Sequence, residues 1–347
     1  MKRSLTPVAS LGEFGLIQRL TRGARLVNAS SIRGCGDDAA VLDYNNGKRV
    51  LVSSDMLIEG VHFDLSYVPL KHLGYKAITV NASDIYAMNG VPRQVTVALA
   101  VSNRFTVEAL DELYAGILLA CERYGIDLVG GDTTSSRVGA CICVTVIGEA
   151  GEGEVTCRDS ARVNDLVCVS GDLGAAYAGL QVLKREKVVV GDDPDARPAL
   201  EGYEYVIERQ LKPEARGDVT RRLAEAGVRP TAMIDVSDGL SSELLHVCVG
   251  SGVGCRVFEE KIPVDGQTRR VAGELNLDPV TCAMAGGEDY ELLFTAPLEA
   301  RDALAAMEGV SIIGYVTPPE DGRFLVTRDG ALVELEARGW NSFIQRE

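Results

Sequence analysis

Aspartates recur beside short apolar runs in this chain, each time with Gly or Ser close by. Asp38 falls in "GCGDDAAVL", Asp55 in "LVSSDML", Asp84 in "VNASDIYAMNG" and Asp132 in "LVGGDTTSS". Asp235 and Asp238 share "MIDVSDGLSSELLHV". A single acid of this kind usually caps a helix, whose N-terminus favours negative charge, or sits in a solvated loop. Recurrence points further. Side chains at the ends of elements stand on a rigid scaffold and face outward, which is where sites are built. Carboxylates on short loops suit Mg²⁺, a hard cation that takes oxygen from one or two carboxylates and from substrate phosphates. The pattern by itself indicates a metal-dependent enzyme that acts on phosphates.

Other chemistries lack their signatures. No G-x-x-x-x-G-K-S/T run occurs, so this is not a P-loop protein. "GCGDDA" (34–39) fits a loose dinucleotide pattern, but Asp37 and Asp38 would face the pyrophosphate. Like unit charges 4 Å apart repel by about 4 kcal/mol at an effective dielectric of 20. A bare phosphate is pushed out of such a loop, and a divalent cation reverses the sign. The three histidines, His62, His72 and His246, form no H-x-x-x-H pair, which argues against zinc. No EF-hand spacing and no G-x-S-x-G elbow appear. The net charge of −15 disfavours a nucleic-acid backbone as partner. Nine cysteines with no C-x-x-C pair read as free thiols, with Cys141 and Cys143 on one face of a strand. Apolar runs such as "VALAV" are far shorter than the roughly 20 residues of a membrane span. Lys2 and Arg3 precede no long apolar stretch, since Glu13 interrupts it. A cytoplasmic protein with no membrane partner is expected.

The elements that must hold these acids can be read coarsely. "AAVLDYNNGKRVLVSSD" predicts a hairpin turning at Asn46-Gly47. "PLKHLGYKAITVNASDIYAMNG" predicts a helix stopped at Gly90, and "RQVTVALAVS" a strand. "TVEALDELYAGILLACERYG" predicts a helix capped by Thr106 and ended by Gly125. "DLVGGD" and "GACICVTVIGEA" follow as strands. Composition shifts at "GEAGEGE", which places a domain boundary near 150. Beyond it come strand "DLVCVS", a Gly-rich turn into helix "GDLGAAYAGLQVL", and helices around 201–210 and 215–227. Then follow a strand–loop–helix at 231–252, strands "CRVFEE" and "YELLFTAP", a helix near 299–308, and strands "VSIIGYV" and "RFLVTRDG". Both halves mix helices and strands in an α+β manner.

Taken together, the motifs resemble the thiamine-monophosphate kinase family. Its superfamily also holds aminoimidazole ribonucleotide synthetase and selenophosphate synthetase. The resemblance runs through "GEFGLI" (12–17), "GDDAAVL" (36–42), "SSDMLIEGVHF" (53–63) and "GYKAITVNASDIYAMNGVP" (74–92). It continues in "GGDTT" (130–134), "IDVSDGL" (234–240), "GGEDYELLFT" (286–295) and "RGWNSF" (338–343). It implies an α+β, aminoimidazole ribonucleotide synthetase-like fold in two domains. Residues 1–150 would bind ATP and Mg²⁺ and join their strands into a barrel shared across a homodimer. Residues 151–347 would form a C-terminal α/β domain completing the site. The activity implied is ATP-dependent phosphorylation of thiamine monophosphate to thiamine diphosphate, by direct in-line transfer assisted by several Mg²⁺ ions.

The resemblance also assigns residues. Asp38, Ser53, Ser54, Asp55, Asp84, Asp132, Asp235 and Asp238 match Mg²⁺ ligands. Tyr114, Gly131, Asp132, Arg158 and Ser237 match ATP contacts, and His62, Glu288 and Trp340 match contacts to the thiamine substrate. Ser54 stands where the family often has Thr. Ser342 stands where it usually has His, so that position is left out of the site. No residue is assigned as a general base. Two rivals remain: a superfamily enzyme that phosphorylates a carbonyl or amide oxygen, and an acidic metal-binding regulatory module without turnover.

Overall fold

The computed structural model describes residues 11–191 and 197–337. A six-stranded sheet is built from β1 (Ser31–Arg33), β2 (Ala40–Asp43), β3 (Lys48–Ile58), β4 (Val91–Val101), β5 (Asp127–Ser135) and β6 (Cys141–Gly151). Its strand order is β1-β2-β3-β6-β4-β5. A short helix, α1 (Gly12–Thr21), precedes it. Two long helices, α2 (Leu70–Ala87) and α3 (Val107–Tyr124), cover one face. Thr106 caps α3 by accepting from the Ala109 N–H, and Gly125 ends it in the left-handed region, as the sequence predicts.

The second sheet has seven strands: β7 (Leu166–Ser170), β8 (Ala232–Asp235), β9 (Gly254–Phe258), β10 (Leu292–Ala296), β11 (Val310–Thr317), β12 (Arg323–Val326) and β13 (Leu332–Glu334). They run in the order β13-β12-β9-β11-β7-β10-β8. Helices α4 (Ala175–Val190), α5 (Glu204–Leu211), α6 (Gly217–Glu225), α7 (Leu240–Ser251), α8 (Gly266–Glu274), α9 (Pro279–Ala285) and α10 (Arg301–Ala305) accompany it. Strands β7, β8 and β10 are buried along their whole length, so they read as unbroken apolar runs rather than alternating ones.

Helix α2 is the element that positions the site. Most of its residues are buried, on every face. A helix buried all round is an enclosed one, and α2 lies between the first sheet, α3 and the second half of the chain. Two glycines set how close it comes to α3. A Cβ on Gly74 would lie 2.0 Å from the Leu113 carbonyl oxygen, and one on Gly116 would lie 1.9 Å from that of Lys71. The two helices therefore touch backbone to backbone, and a methyl at either position would drive them apart.

Along the sheet, residues of one parity face α2 and the other parity faces outward. Leu51, Leu57, Val97, Val144 and Val146 are buried on the α2 side. Met56, Ile58 and Ala98 are exposed on the other side, with Cys141, Cys143 and Ile147 half-buried beside them. All nine cysteines are free. Among the described residues no helix is long and apolar enough to cross a membrane.

Candidate active site

Four aspartates from four separate segments meet at the seam between the two sheets. Asp38 lies in the loop before β2, Asp55 on β3, Asp84 near the end of α2 and Asp235 at the end of β8. The α2-facing parity of β3 aims Ser53 and Asp55 at that helix. The Ser53 hydroxyl donates to Asp84 Oδ2 at 2.5 Å, and the Asp55 N–H donates to Asn81 Oδ1 at 3.2 Å. One residue before Asp84, the buried Ser83 hydroxyl donates to Asp235 Oδ2 at 2.5 Å and so ties α2 to β8. Arg158 approaches Asp38 at 3.7 Å and donates to the Gly36 carbonyl at 3.0 Å.

Burial pushes all four carboxyls above the ordinary range, because a low dielectric disfavours charge. Mutual repulsion adds to it: Asp84 feels Asp55, Asp235 and Asp38, and Asp38 feels Asp235. Asp235 is pushed up to about 6. Asp38 Oδ2 is buried without a hydrogen-bond partner. Buried acids that repel one another, one with an orphaned oxygen, offer donors of the kind hard divalent cations take. They do not make a structural network, which would be hydrogen-bonded throughout.

Asp238 does not cap α7. The N-cap position is Gly239, and no side chain caps the helix there. Glu243, fully buried in the first turn of α7, turns back instead. Its Oε1 accepts from the Ser237 N–H at 3.2 Å, the Ser237 hydroxyl at 3.3 Å and the Asp238 N–H at 2.8 Å. The loop is thus clamped by a glutamate, and the Asp238 carboxyl is not spent on capping the helix. Asp238 is pushed up to about 7, first by burial and then by Glu13, Asp235 and Glu288.

That shift carries a prediction. A carboxyl whose folded pKa is raised stabilises the fold below its ordinary value of 3.8, and the advantage is lost as pH climbs through about 7. In metal-free buffer Asp238→Asn should therefore be more stable than the parent at pH 8, by at most on the order of 4 kcal/mol from a shift of about three pH units. The gap should close by pH 4, as denaturant titrations at the two pH values will show. A variant less stable than the parent at pH 8 would mean that the Asp238 carboxylate is not repelled in the fold.

A second group lies further along the seam. Lys76 of α2, buried, reaches Glu288 Oε2 at 2.5 Å and the Gln210 carbonyl at 3.0 Å. Gln210 Nε2 donates to the same Glu288 oxygen at 2.9 Å. Glu288 sits at φ +62°, in the left-handed region that non-glycine residues rarely adopt, and its N–H donates to the Ser237 carbonyl at 2.7 Å. Such strain clusters at functional sites. His62 Nδ1 accepts from the Ile58 N–H at 3.0 Å, and burial lowers its pKa. Neutral His62 therefore carries its proton on Nε2.

Residues 36–150 match the family model for the AIR synthase related protein, N-terminal domain, and residues 162–327 match its C-terminal counterpart. The chain is 34% identical over 339 residues to the thiamine-monophosphate kinase of Bacillus subtilis, covering 96% of this chain and 100% of that one. Against the enzyme of Aquifex aeolicus it is 35% identical, over 96% and 98%. The chain belongs to the thiamine-monophosphate kinase family. The structure of AaThiL complexed with AMPPCP and TMP superposes with a TM-score of 0.82 at 34% identity, over 97% of this chain and 99% of that one. A crystal structure of thiamine monophosphate kinase from Aquifex aeolicus gives 0.75 at 32%, over 92% and 98%.

Not every residue singled out in the sequence joins the cluster within one chain. Ser54 points to the outward face, where its hydroxyl donates to the Val144 carbonyl at 3.1 Å and lies 3.0 Å from Thr145 Oγ1. By register Asp132 pairs with exposed Ala98, so it shares that outward face, with Gly131 beside it. Tyr114 packs on α3 against the core of the first half. Trp340 and Ser342 lie outside the described residues. The last residues before them run beside α7, where the Ser241 hydroxyl donates to the Glu336 carbonyl at 2.7 Å. Sequence reading missed Glu243, Lys76 and Gln210. For Glu243 and Lys76 the only signal was polarity among apolar neighbours in a helix, and Gln210, beside Arg209, had none.

Proposed function

We propose that this chain phosphorylates thiamine monophosphate with ATP to give thiamine diphosphate. The observation that carries the reading is that Asp38, Asp55, Asp84 and Asp235, from four segments, lie near enough at the seam to act on one another's carboxyls. Its relatives are named thiamine-monophosphate kinases, and AaThiL holds AMPPCP and TMP together. Both substrates are anions, and in-line phosphoryl transfer needs positioning and charge neutralisation rather than covalent help. We assign Asp38, Ser53, Ser54, Asp55, Asp84, Asp132, Asp235 and Asp238 to several Mg²⁺ ions. Those ions would offset the repulsion between the two phosphates.

The chain's own residues do the rest. Arg158 stands beside Asp38 to meet ATP, with Ser237 in the loop that Glu243 clamps, and Gly131, Asp132 and Tyr114 complete the nucleotide contacts. His62, Glu288 and Trp340 hold the thiamine end. The units would be 1–150 and 151–347, each built on one of the two sheets. The apolar outward face of the first sheet, with Met56 and Ile58 exposed, supports a homodimer. In that arrangement Ser54 and Asp132 serve a site only with the second copy in place.

No side chain is needed as a general base. The acceptor is a phosphate monoester with a second pKa of about 6, so about 90% is already the dianion at pH 7. His62 is unsuited to the task, because its acceptor nitrogen is engaged by Ile58. Incubating the protein with ATP, Mg²⁺ and thiamine monophosphate should yield thiamine diphosphate, and its absence would sink the reading. His62→Asn should raise the KM for thiamine monophosphate and keep the parent's pH–rate profile. A loss in kcat of about 10² or more, in the range of a general base, would overturn the assignment to binding.

A further inference from the structure

We infer that Lys76 is a positioning residue that acts through Glu288 to fix the acceptor specificity of the site. The inference rests on the kinase reading above. Lys76 belongs to α2 and the first sheet's half, whereas Gln210 and Glu288 belong to the second. Lys76 is buried, and it lines a small cavity together with Leu57, Phe63, Leu73 and Leu211. Apolar walls keep water from competing for it and strengthen each interaction it makes.

The three groups close on a single oxygen. Glu288 Oε2 takes both the Lys76 ammonium at 2.5 Å and the Gln210 amide at 2.9 Å. Among the described residues Oε1 has only the Tyr290 hydroxyl at 3.4 Å, a weak contact. Charge from Glu288 reaches His62 and Asp238. One oxygen is thus tied back, and the other is left as an acceptor facing the site. The backbone is pinned as well. Glu288 is at positive φ, and a Cβ on neighbouring Gly287 would lie 2.4 Å from the Ser237 carbonyl. A carboxylate pinned this way presents a fixed negative point beside Asp238.

Thiamine monophosphate offers two partners for such a point: a permanently cationic thiazolium and an amino group on its pyrimidine. Lys76 sets where the negative point lies, so it selects a cationic acceptor without touching it. ATP, which has no such cation, is indifferent to the arrangement.

Steady-state kinetics of the full-length chain, with parent turnover measured first, provide the test. If the parent makes no thiamine diphosphate, the kinase reading fails and the role of Lys76 is not at issue. Lys76→Met should raise the KM for thiamine monophosphate about tenfold or more, the scale of losing a charged hydrogen bond. The KM for ATP should move by less than about twofold on the same scale. Gln210→Leu is milder and keeps both charges. It should raise the same KM by about two- to fivefold, as loss of one ordinary hydrogen bond does. The double variant Lys76→Met with Glu288→Gln should be no worse than Glu288→Gln alone, because residues that act as one unit are not additive. Multiplied effects in the double variant would overturn the inference, since Lys76 would then meet the substrate itself. Equal rises in both KM values, with a lowered melting temperature, would reduce Lys76 to domain packing.

Discussion

Asp84→Asn should lower turnover by about 10²–10³-fold, the scale of losing one group from a preorganised charge site, while the protein stays folded. Asp84 is chosen because it faces the other three: its carboxyl is raised by burial and then by Asp55, Asp235 and Asp38. Asn is isosteric and can still accept from the Ser53 hydroxyl through its amide oxygen. The substitution therefore removes charge and little else. Repulsion inside the metal-free cluster should fall, so the variant should unfold at a temperature no lower than the parent's. Inactivity with undiminished stability separates a charge-holding role from a structural one. Asp55→Asn should behave alike, since Asp55 is the first of the charges that raise the Asp84 carboxyl. Near-normal turnover in both variants would remove these acids from the site.

Sequence alone placed the long elements well, because local signals there agree with the fold. Thr106 and Gly125 mark both ends of α3, and alternation marks β6. It also found the acids of the cluster, although Asp55 lies inside β3 rather than at its end and Asp235 is flanked by Ile234 and Val236. What it lacked was depth. Asp235 reads as a helix-start acid, yet its partner is Ser83, far away in the chain on α2. Only the packing of α2 against β8, from the other half of the chain, brings the two together. Helices α8 and α9 escaped notice because α8 is polar on most faces and α9 spans only seven residues. Face was the other missing quantity. Ser53, Ser54 and Asp55 are consecutive, but the pleat sends Ser54 outward and its neighbours inward. A one-dimensional motif cannot show that.

The same burial that makes the cluster hard to read makes it a cation holder, and this leads to the strongest expected effect. Chelating Mg²⁺ should abolish turnover and weaken ATP binding by about 10² or more. The sign follows from charge. Without cations the nucleotide meets Asp38, Asp55, Asp84 and Asp235 directly, and one pair of like charges 4 Å apart costs about 4 kcal/mol at a dielectric of 20. Arg158, 3.7 Å from Asp38, supplies one opposing charge against four acids. Protons and Mg²⁺ should also compete for the same oxygens. Asp235 is pushed up to about 6 and Asp238 to about 7, so near pH 6 part of the cluster holds protons that a cation must displace. Mg²⁺ added to the nucleotide-free protein should then release protons at pH 6 and far fewer at pH 8.5. Calorimetry in two buffers of different ionisation enthalpy measures that difference without any turnover. ATP affinity unchanged in chelator, or proton release independent of pH, would show that these carboxyls do not form the metal site.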